Sequence, residues 1–508
     1  MMMSRSQNAG KPLARLLKGY HTIEPVPDID IVDITSNSRT VRRGSLFIAL
    51  RGINSQGIDF AIDAVKSGAV AVIYDSEDEY CVRRIPLLGK QVQTSWIGIK
   101  GLDRINGEIV SRFYGEPGRY LKIIGITGTD GKTSVTHLIT QALTRIGKSV
   151  ASIGTLGYGI GNKFDTATHT TPDAVTLQSY LHEFHQLKCD YVIMEVSSHS
   201  LQQYRVSGCQ FDIAVLTNLG RDHLDYHQDM EQYAATKGRL FRDFDLSARV
   251  LNIDDAFGRQ LANEFKSGGK IRYSALSPKD KQGVEVYLLN SEITEQGLDL
   301  DVATPIGEIH ASTALMGQFN IDNTLACISS LVALGLEQAE IQLAVTGLQA
   351  IPGRMEKITG DSSRATAVID FAHTEQALRA CLTASREYTS GQLWCVFGCG
   401  GDRDQGKRQG MGRAAEELAD RIIITDDNPR TEDPERIVSD IREGLANPKN
   451  SCVVHNRQAA IEYALTEAKS GDLVVIAGKG HEQEQIIGHE RYPFSDRHVV
   501  QRFIQAKT

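Results

Sequence analysis

An apolar stretch at residues 121–126 leads into Gly128-Thr129-Asp130-Gly131-Lys132-Thr133-Ser134. Beyond it Val135, Leu138, Ile139, Ala142, Leu143 and Ile146 recur at helical spacing until Gly147. A buried strand, a glycine turn and an amphipathic helix in that order predict a βα unit of an α/β fold. Glycines let the backbone approach a ligand closely, and the first N–H groups and dipole of a helix favour an anion. Lys132 is placed to reach the β- and γ-phosphates of a nucleotide, and the hydroxyl of Thr133 or Ser134 suits Mg²⁺. The spacing departs from the common phosphate loop, which has a glycine five residues before the Gly-Lys pair, where this chain has Ile126.

The rest of the chain extends this pattern. A length of 508 residues accommodates about three domains. Residues 1–118 are expected to form a small α/β domain, with strands at 31–34, 46–50 and 69–74 and a helix at 60–66. Residues 119–352 are expected to form a central doubly wound parallel sheet. Its strands at 191–196 and 211–217 run into Glu195-Val196-Ser197-Ser198-His199 and Asn218 to His227. Ligands of such sheets collect beyond the carboxyl ends of the strands, so both polar clusters should converge on the Lys132 loop. Residues 353–508 are expected to form a C-terminal Rossmann-like α/β domain. There, strands at 368–370, 393–397, 421–425 and 473–477 each end in a polar loop.

Composition narrows the partners. A net charge of −8 argues against nucleic acid or an anionic membrane surface. No apolar run approaches the roughly 18 residues of a membrane span. Arg5, Lys11, Arg15 and Lys18 are followed by no apolar block, so no secretory signal is expected and a cytoplasmic location is. The eight cysteines lack metal-site spacing and suit reduced thiols in a core.

Taken in order, six short motifs join the phosphate loop. They are Thr170-Thr171-Pro172-Asp173, Glu195 to His199, Asp222-His223-Leu224-Asp225, Gly353-Arg354-Met355-Glu356, Asp427-Asn428-Pro429-Arg430 and Gly478-Lys479-Gly480-His481-Glu482. Together they resemble the Mur ligase family, which builds the peptide stem of bacterial peptidoglycan. The likeness is greatest to the branch adding diaminopimelate as the third amino acid. The family usually has Asn where this chain has Asp130. Two further departures are Gln409-Gly410 in place of a frequent Pro-Leu, and Phe371 in place of a usual Tyr.

The resemblance implies three domains, serving the UDP moiety, ATP and the amino acid in turn. It also implies ATP-driven amide formation with Mg²⁺, on small-molecule substrates and as a monomer. The donor would be UDP-N-acetylmuramoyl-L-alanyl-D-glutamate, activated as an acyl phosphate, and the acceptor meso-diaminopimelate. Addition of lysine or another amino acid on the same scaffold is the alternative. Gly128 to Ser134, Asn323 and Asp370 match positions around ATP. Lys132, His223, Lys237 and Arg354 match catalytic positions. Thr133, Glu195, His223 and a carbamylated Lys237 match metal positions.

Ser38, Thr170, Thr171, Ser197, Gln203 and Arg205 match donor contacts. Arg403, Asp427, Asn428, Pro429, Arg430, Gly478 and Glu482 match the amino-acid pocket, with Glu482 placed for the distal ammonium. Diaminopimelate differs from lysine by a distal carboxylate, which a guanidinium fork holds through two charge-assisted bonds. Leaving that cation unpaired would penalise lysine by about 3 kcal/mol, roughly a hundredfold or more. Arg430 is therefore the expected specificity residue. A nucleotide-binding module without ligase chemistry would leave Glu195, His223, Lys237 and the C-terminal Arg/Glu set without a role.

Overall fold

The structure is a computed structural model. It describes all residues except 1–9, 53–54, 162, 166–168, 221, 223, 266–268, 277–282, 295, 361–364 and 506–508. The chain divides into two compact units, residues 1–273 with 329–335, and residues 274–328 with 336–508.

The first unit opens with a parallel sheet of β1 (Asp33–Thr35), β2 (Ser45–Ala49), β3 (Ala69–Asp75) and β4 (Ser95–Ile99), in that spatial order. The strand expected at 31–34 is interrupted, because Val32 turns outward and gives its N–H to Gly44 O. Helix α1 (Leu102–Phe113) buries Ile109, Val110 and Phe113 in the same core as Ile34, Leu46 and Ile73.

Next come β5 (Lys122–Thr127), α2 (Lys132–Arg145), β6 (Val150–Gly154), β7 (Gly157–Ile160), β8 (Lys163–Asp165) and α3 (Ala174–Gln186). Then follow β9 (Tyr191–Glu195), α4 (Ser198–Gln202), β10 (Ile213–Leu216), α5 (Met230–Arg242), β11 (Ala248–Asn252) and β12 (Gly269–Ser274). The strands lie in the order β8-β7-β6-β9-β5-β10-β11-β12. Those from β6 to β12 run parallel, and β7 and β8 form an antiparallel edge. Ile123, Ile124 and Ile126 of β5 have no exposure, as expected for a strand covered on both faces. The inward stripe of α2 is Val135, Leu138, Ile139, Ala142 and Leu143, as the spacing predicts, while Ile146 caps the helix and is only partly buried. From β5 the chain first crosses to β6 on one side and later to β10 on the other. This reversal opens a crevice beyond the carboxyl end of β5, where the glycine turn sits.

The second unit departs from the alternation expected up to residue 352. β13 (Val286–Thr294), β14 (Gly297–Thr304) and β15 (Gly307–Thr313) form an antiparallel meander without intervening helices. Gly297 and Gly307 take φ of 153° and 125°, which allow the reversals. In β15, Ile309, Ala311 and Thr313 are buried while Glu308, His310 and Ser312 are exposed. That period of two marks a sheet covered on one face only. Helix α6 (Phe319–Ala333) follows.

The C-terminal sheet holds β16 (Glu356–Ile358), β17 (Thr366–Asp370), β18 (Leu393–Phe397), β19 (Arg421–Ile424), β20 (Ser451–Val453) and β21 (Leu473–Ala477). Their order is β16-β17-β21-β18-β19-β20, parallel except for β16. Loops after β17, β18, β19 and β21 therefore open on one edge. A hairpin of β22 (Glu484–Ile487) and β23 (Glu490–Pro493) follows them.

Candidate active site

The glycine turn is fixed from beneath by β10. Gly128 adopts φ 153°, and a Cβ there would lie 1.9 Å from Thr217 Oγ1, so a side chain is excluded. Thr217 Oγ1 donates to Asp130 O at 2.6 Å, and Asp130 N donates to Asn218 Oδ1 at 2.9 Å. Lys132 opens α2 and folds over the turn, giving Nζ to Gly128 O at 2.9 Å and Thr129 O at 2.7 Å. These bonds hold the ammonium at the mouth of the helix N-terminus, where an anion is favoured.

Glu195, last in β9 and 1% exposed, joins this turn to a second cluster. Its Oε2 accepts from Thr133 Oγ1 at 2.9 Å and from Thr155 Oγ1 at 3.2 Å, and its Oε1 from Thr155 N at 2.8 Å. Gly154 leaves the necessary space, since a Cβ there would fall 2.3 Å from Oε1. No cation pairs with Glu195 among the described residues. A buried carboxylate held only by hydroxyls and one N–H is a hard-oxygen donor set that suits a divalent cation.

Around Glu195 the structure gathers five expected donor-site residues. Thr171 Oγ1 donates to Glu195 O at 2.8 Å and accepts from Ser197 N at 3.2 Å, while Thr170 Oγ1 lies 3.2 Å from Thr155 Oγ1. Arg205 gives Nη1 to Thr171 O at 3.0 Å and both Nε and Nη2 to Gln203 Oε1. Asn218, which opens the polar cluster expected to reach the Lys132 loop, does so through Asp130 N. Thr155 completes the arrangement and is singled out by neither type nor spacing, because its role depends on strands that are adjacent only in the folded sheet. Ser38 stands apart in a short 3₁₀ turn, Ser38–Thr40, and no hydrogen bond joins it to this cluster among the described residues.

Lys237 lies on α5 and is 1% exposed. Its Nζ donates to Gly128 O at 2.7 Å and sits 4.5 Å from the centre of the Tyr233 ring. Burial, reinforced by repulsion from Lys132, drives its pKa well below the ordinary lysine value, against the pull of Asp222 and Asp130. His223 falls outside the described residues. Among those described, no group of three or more His, Cys, Asp or Glu side chains forms a ready metal cage.

In the second unit Asp370 ends β17 and accepts from Met355 N and Ala372 N, each at 2.8 Å. Burial raises its pKa, opposed by the neighbouring Arg354 and these two bonds. Arg354 lies over the Phe371 ring at 4.5 Å, and His481 flanks the same ring at 5.3 Å. Arg354 Nε and His481 Nδ1 are both buried without a hydrogen-bond partner among the described residues, a state that a polar ligand would relieve. Asn323 on α6 is buried and gives its amide to Asn320 Oδ1 at 2.8 Å.

The expected amino-acid residues meet where the loops after β18, β19 and β21 converge. Arg430 holds a left-handed φ of 53°, clamped by Arg430 N to Ile486 O at 3.1 Å and Gly488 N to Arg430 O at 2.7 Å. Its Nη1 donates to Gly401 O at 2.8 Å. A Cβ on Gly400 would lie 3.0 Å from that nitrogen and 3.7 Å from Arg403 Cγ, so both arginines border this glycine. Pro429 O packs so tightly on Gly401 that a Cβ there would approach to 1.9 Å. Gly478 is similarly constrained by Asp427 Oδ2 at 2.7 Å. Asp427 is pushed up by burial, against the charges of Arg457 and Lys479.

Arg408 braces the arginine loop. Its guanidinium, without exposure, grips Glu432 through both nitrogens at 2.7 Å, Asp440 at 2.8 Å and Gly400 O at 3.3 Å. Gln409-Gly410 thus belongs to an ordered helix start, where the Glu375 side chain lies over Gly410 and would have to shift to admit a Cβ.

Three family models match the chain in succession: the Mur ligase family catalytic domain at residues 30–114, the Mur ligase middle domain at 126–331, and the Mur ligase glutamate ligase domain at 353–480. The chain belongs to the Mur ligase family. It is 42% identical to the UDP-N-acetylmuramoyl-L-alanyl-D-glutamate–2,6-diaminopimelate ligase of Alkalilimnicola ehrlichii, over 96% of this chain and 97% of that protein. The enzyme of the same name from Pseudomonas putida is also 42% identical, over 94% and 95%. A solved structure of such a ligase superposes with a TM-score of 0.72 at 34% identity, covering 98% of this chain and 99% of that one. MurF ligase of Thermotoga maritima, solved in complex with ADP, shares the fold with a TM-score of 0.61 at 16% identity over 94% and 98%.

Proposed function

We propose that this chain is an ATP-dependent amide-forming ligase that adds meso-diaminopimelate to UDP-N-acetylmuramoyl-L-alanyl-D-glutamate. The observation that carries the proposal is the position of Glu195. One buried carboxylate takes Thr133 of the phosphate loop and Thr155 of the donor cluster, with Thr171 on its own main chain. That arrangement supports adjoining seats for the phosphate and the donor carboxylate. A carboxylate repels nucleophiles, so the donor oxygen attacks the γ-phosphorus, ADP leaves, and an acyl phosphate forms. The free amine of the acceptor then attacks the acyl carbon and phosphate departs. Such a sequence depends on holding anions together and neutralising them.

Lys132 and the N–H groups opening α2 hold the nucleotide phosphates. Arg205, steadied by Gln203, offers its guanidinium to the donor, alongside Thr170, Thr171 and Ser197. Ser38 serves the uridine. Mg²⁺ would be held by Thr133 and Glu195, with His223 and carbamylated Lys237 supplying further ligands, and would neutralise phosphate charge. Burial lowers the pKa of Lys237 and so favours the neutral amine, the form that combines with CO₂. Arg354, Asp370 and Asn323 are assigned to ATP by their match to family positions. Arg430, with Arg403, Asp427, Asn428, Pro429, Gly478 and Glu482, selects the acceptor.

The functional division of the chain is residues 1–118 for UDP, 119–352 for ATP and 353–508 for the amino acid. The protein works as a monomer in the cytoplasm. No helix among the described residues is long and apolar enough to cross a membrane.

ADP release from the purified chain tests the proposal. Release should require both the UDP-linked dipeptide and diaminopimelate, with lysine a poor substitute. Arg430→Ala should raise the diaminopimelate KM and narrow the gap to lysine by roughly a hundredfold. Equal use of lysine by the unaltered chain would remove the assigned acceptor, and ATP consumption indifferent to either substrate would remove the ligase.

A further inference from the structure

Lys479 follows β21 and has no exposure, yet it carries an ammonium into the acceptor pocket. Its Nζ lies 2.8 Å from Glu482 Oε2 and 2.9 Å from Asn428 Oδ1. Asn428 Oδ1 also accepts from Ile486 N at 2.9 Å. Two donors on that oxygen fix which way the amide faces. Its Nδ2 is consequently turned to Glu482 Oε2, to which it donates at 3.0 Å. Glu482 Oε2 therefore has two donors, while Oε1 makes no hydrogen bond among the described residues. The Glu482 side chain retains 33% exposure, so the remaining oxygen belongs to a group that solvent or a ligand can reach.

We infer that Lys479 is a positioning residue for acceptor selection: it orients Asn428 and Glu482 so that Glu482 Oε1 remains the acceptor for the distal ammonium of the incoming diamino acid. The inference rests on the acceptor pocket proposed above and gives it a second selective element. Arg430 matches the distal carboxylate, and the Lys479–Glu482 pair matches the ammonium on the same carbon. The two cations and Glu482 then fit an end carrying both signs of charge better than the lone ammonium of lysine. Glu482 is also kept ionised: burial works against its charge, but Lys479 and the bonds from Lys479 and Asn428 outweigh it and hold its pKa below the ordinary value.

The test uses the full chain with ATP and the UDP-linked dipeptide saturating, and follows ADP release against diaminopimelate. Lys479→Met should raise the diaminopimelate KM about tenfold, with kcat within about twofold and the KM values of ATP and dipeptide unmoved. Lys479→Gln keeps an N–H donor for Asn428 without the charge, and should fall between the two. Adding Lys479→Met to Glu482→Gln should cost nothing beyond Glu482→Gln alone, because both act on one group. An unmoved KM in Lys479→Met, a parallel rise for all three substrates, or independent effects in the double variant would each overturn the role. Should the unaltered chain ignore diaminopimelate, the proposed function falls and this inference with it. Should it use diaminopimelate while Lys479→Met and Lys479→Gln do so equally well, only the role of Lys479 falls.

Discussion

Two lysines, one in each compact unit, are buried to the same degree and face opposite chemical fates. Lys237 is 1% exposed and gives its Nζ to a backbone carbonyl, beside the cation of Lys132. Lys479 has no exposure and gives its Nζ to a carboxylate and an amide oxygen. Among the described residues only the second has an anion in contact to offset the cost of burial. The first is driven towards a neutral, nucleophilic amine, and the second makes two bonds that order its neighbours. What a buried lysine does is thus decided by the one or two groups within 3 Å of its nitrogen.

The largest effect expected from this contrast is on activity. Lys237→Ala should lose on the order of a hundredfold or more in kcat, as when an electrostatic element of a transition-state site is removed. Added acetate should restore part of it by supplying the missing carboxylate oxygens. Full activity in the variant would remove the carbamate, and with it the chemical side of the comparison. The next effect is on stability, and here the order reverses. Lys479→Met strands the Glu482 carboxylate and should cost about 2 kcal/mol. That is less than the roughly 3–5 kcal/mol of a wholly buried pair, since Glu482 is partly solvated. Lys237→Met removes a poorly solvated amine and one hydrogen bond, and should stay within about 1 kcal/mol of the unaltered chain. Urea midpoints compare the two, and equal losses would show that the two amines are held alike.

The sequence made one half of this contrast visible and hid the other. Lys237 matches a family position that points to a modified lysine, and the glycine turn with its flanking strand and helix announces the site it joins. Lys479 lies in a motif of equal prominence, yet nothing in Gly-Lys-Gly-His-Glu says that its ammonium turns back on Asn428, 51 residues earlier. Arg408 is hidden for the same reason, because its partners Glu432 and Asp440 lie on other elements. Strand periodicity gave most parallel elements to within a residue or two. It failed at the meander of residues 286–313, where Glu308-Ile309-His310-Ala311-Ser312 alternates as a one-sided strand does. Local patterns reveal which face of an element is buried, whereas the partners of a buried charge are set by sheet order.

The smallest effects are on the pH dependence of stability, where the two lysines should show at opposite ends of the scale. The folded chain binds the Lys237 proton less tightly than the unfolded chain, whose value is the ordinary 10.5. Protons are therefore taken up on unfolding between these two values, so stability rises with pH through that window and is lost as pH falls. Measured in CO₂-free buffer, the unaltered chain should gain on Lys237→Met as pH rises towards the ordinary lysine value of 10.5 and then level off. Lys479 acts through Glu482, whose folded pKa lies below its ordinary 4.5. That carboxylate contributes stability above the ordinary value, and the contribution disappears as pH falls through the folded one. Lys479→Met should flatten this acid-side loss and leave the alkaline side as it was. A variant that changed both limbs together would mean that the two lysines are coupled, rather than separate answers to the same burial.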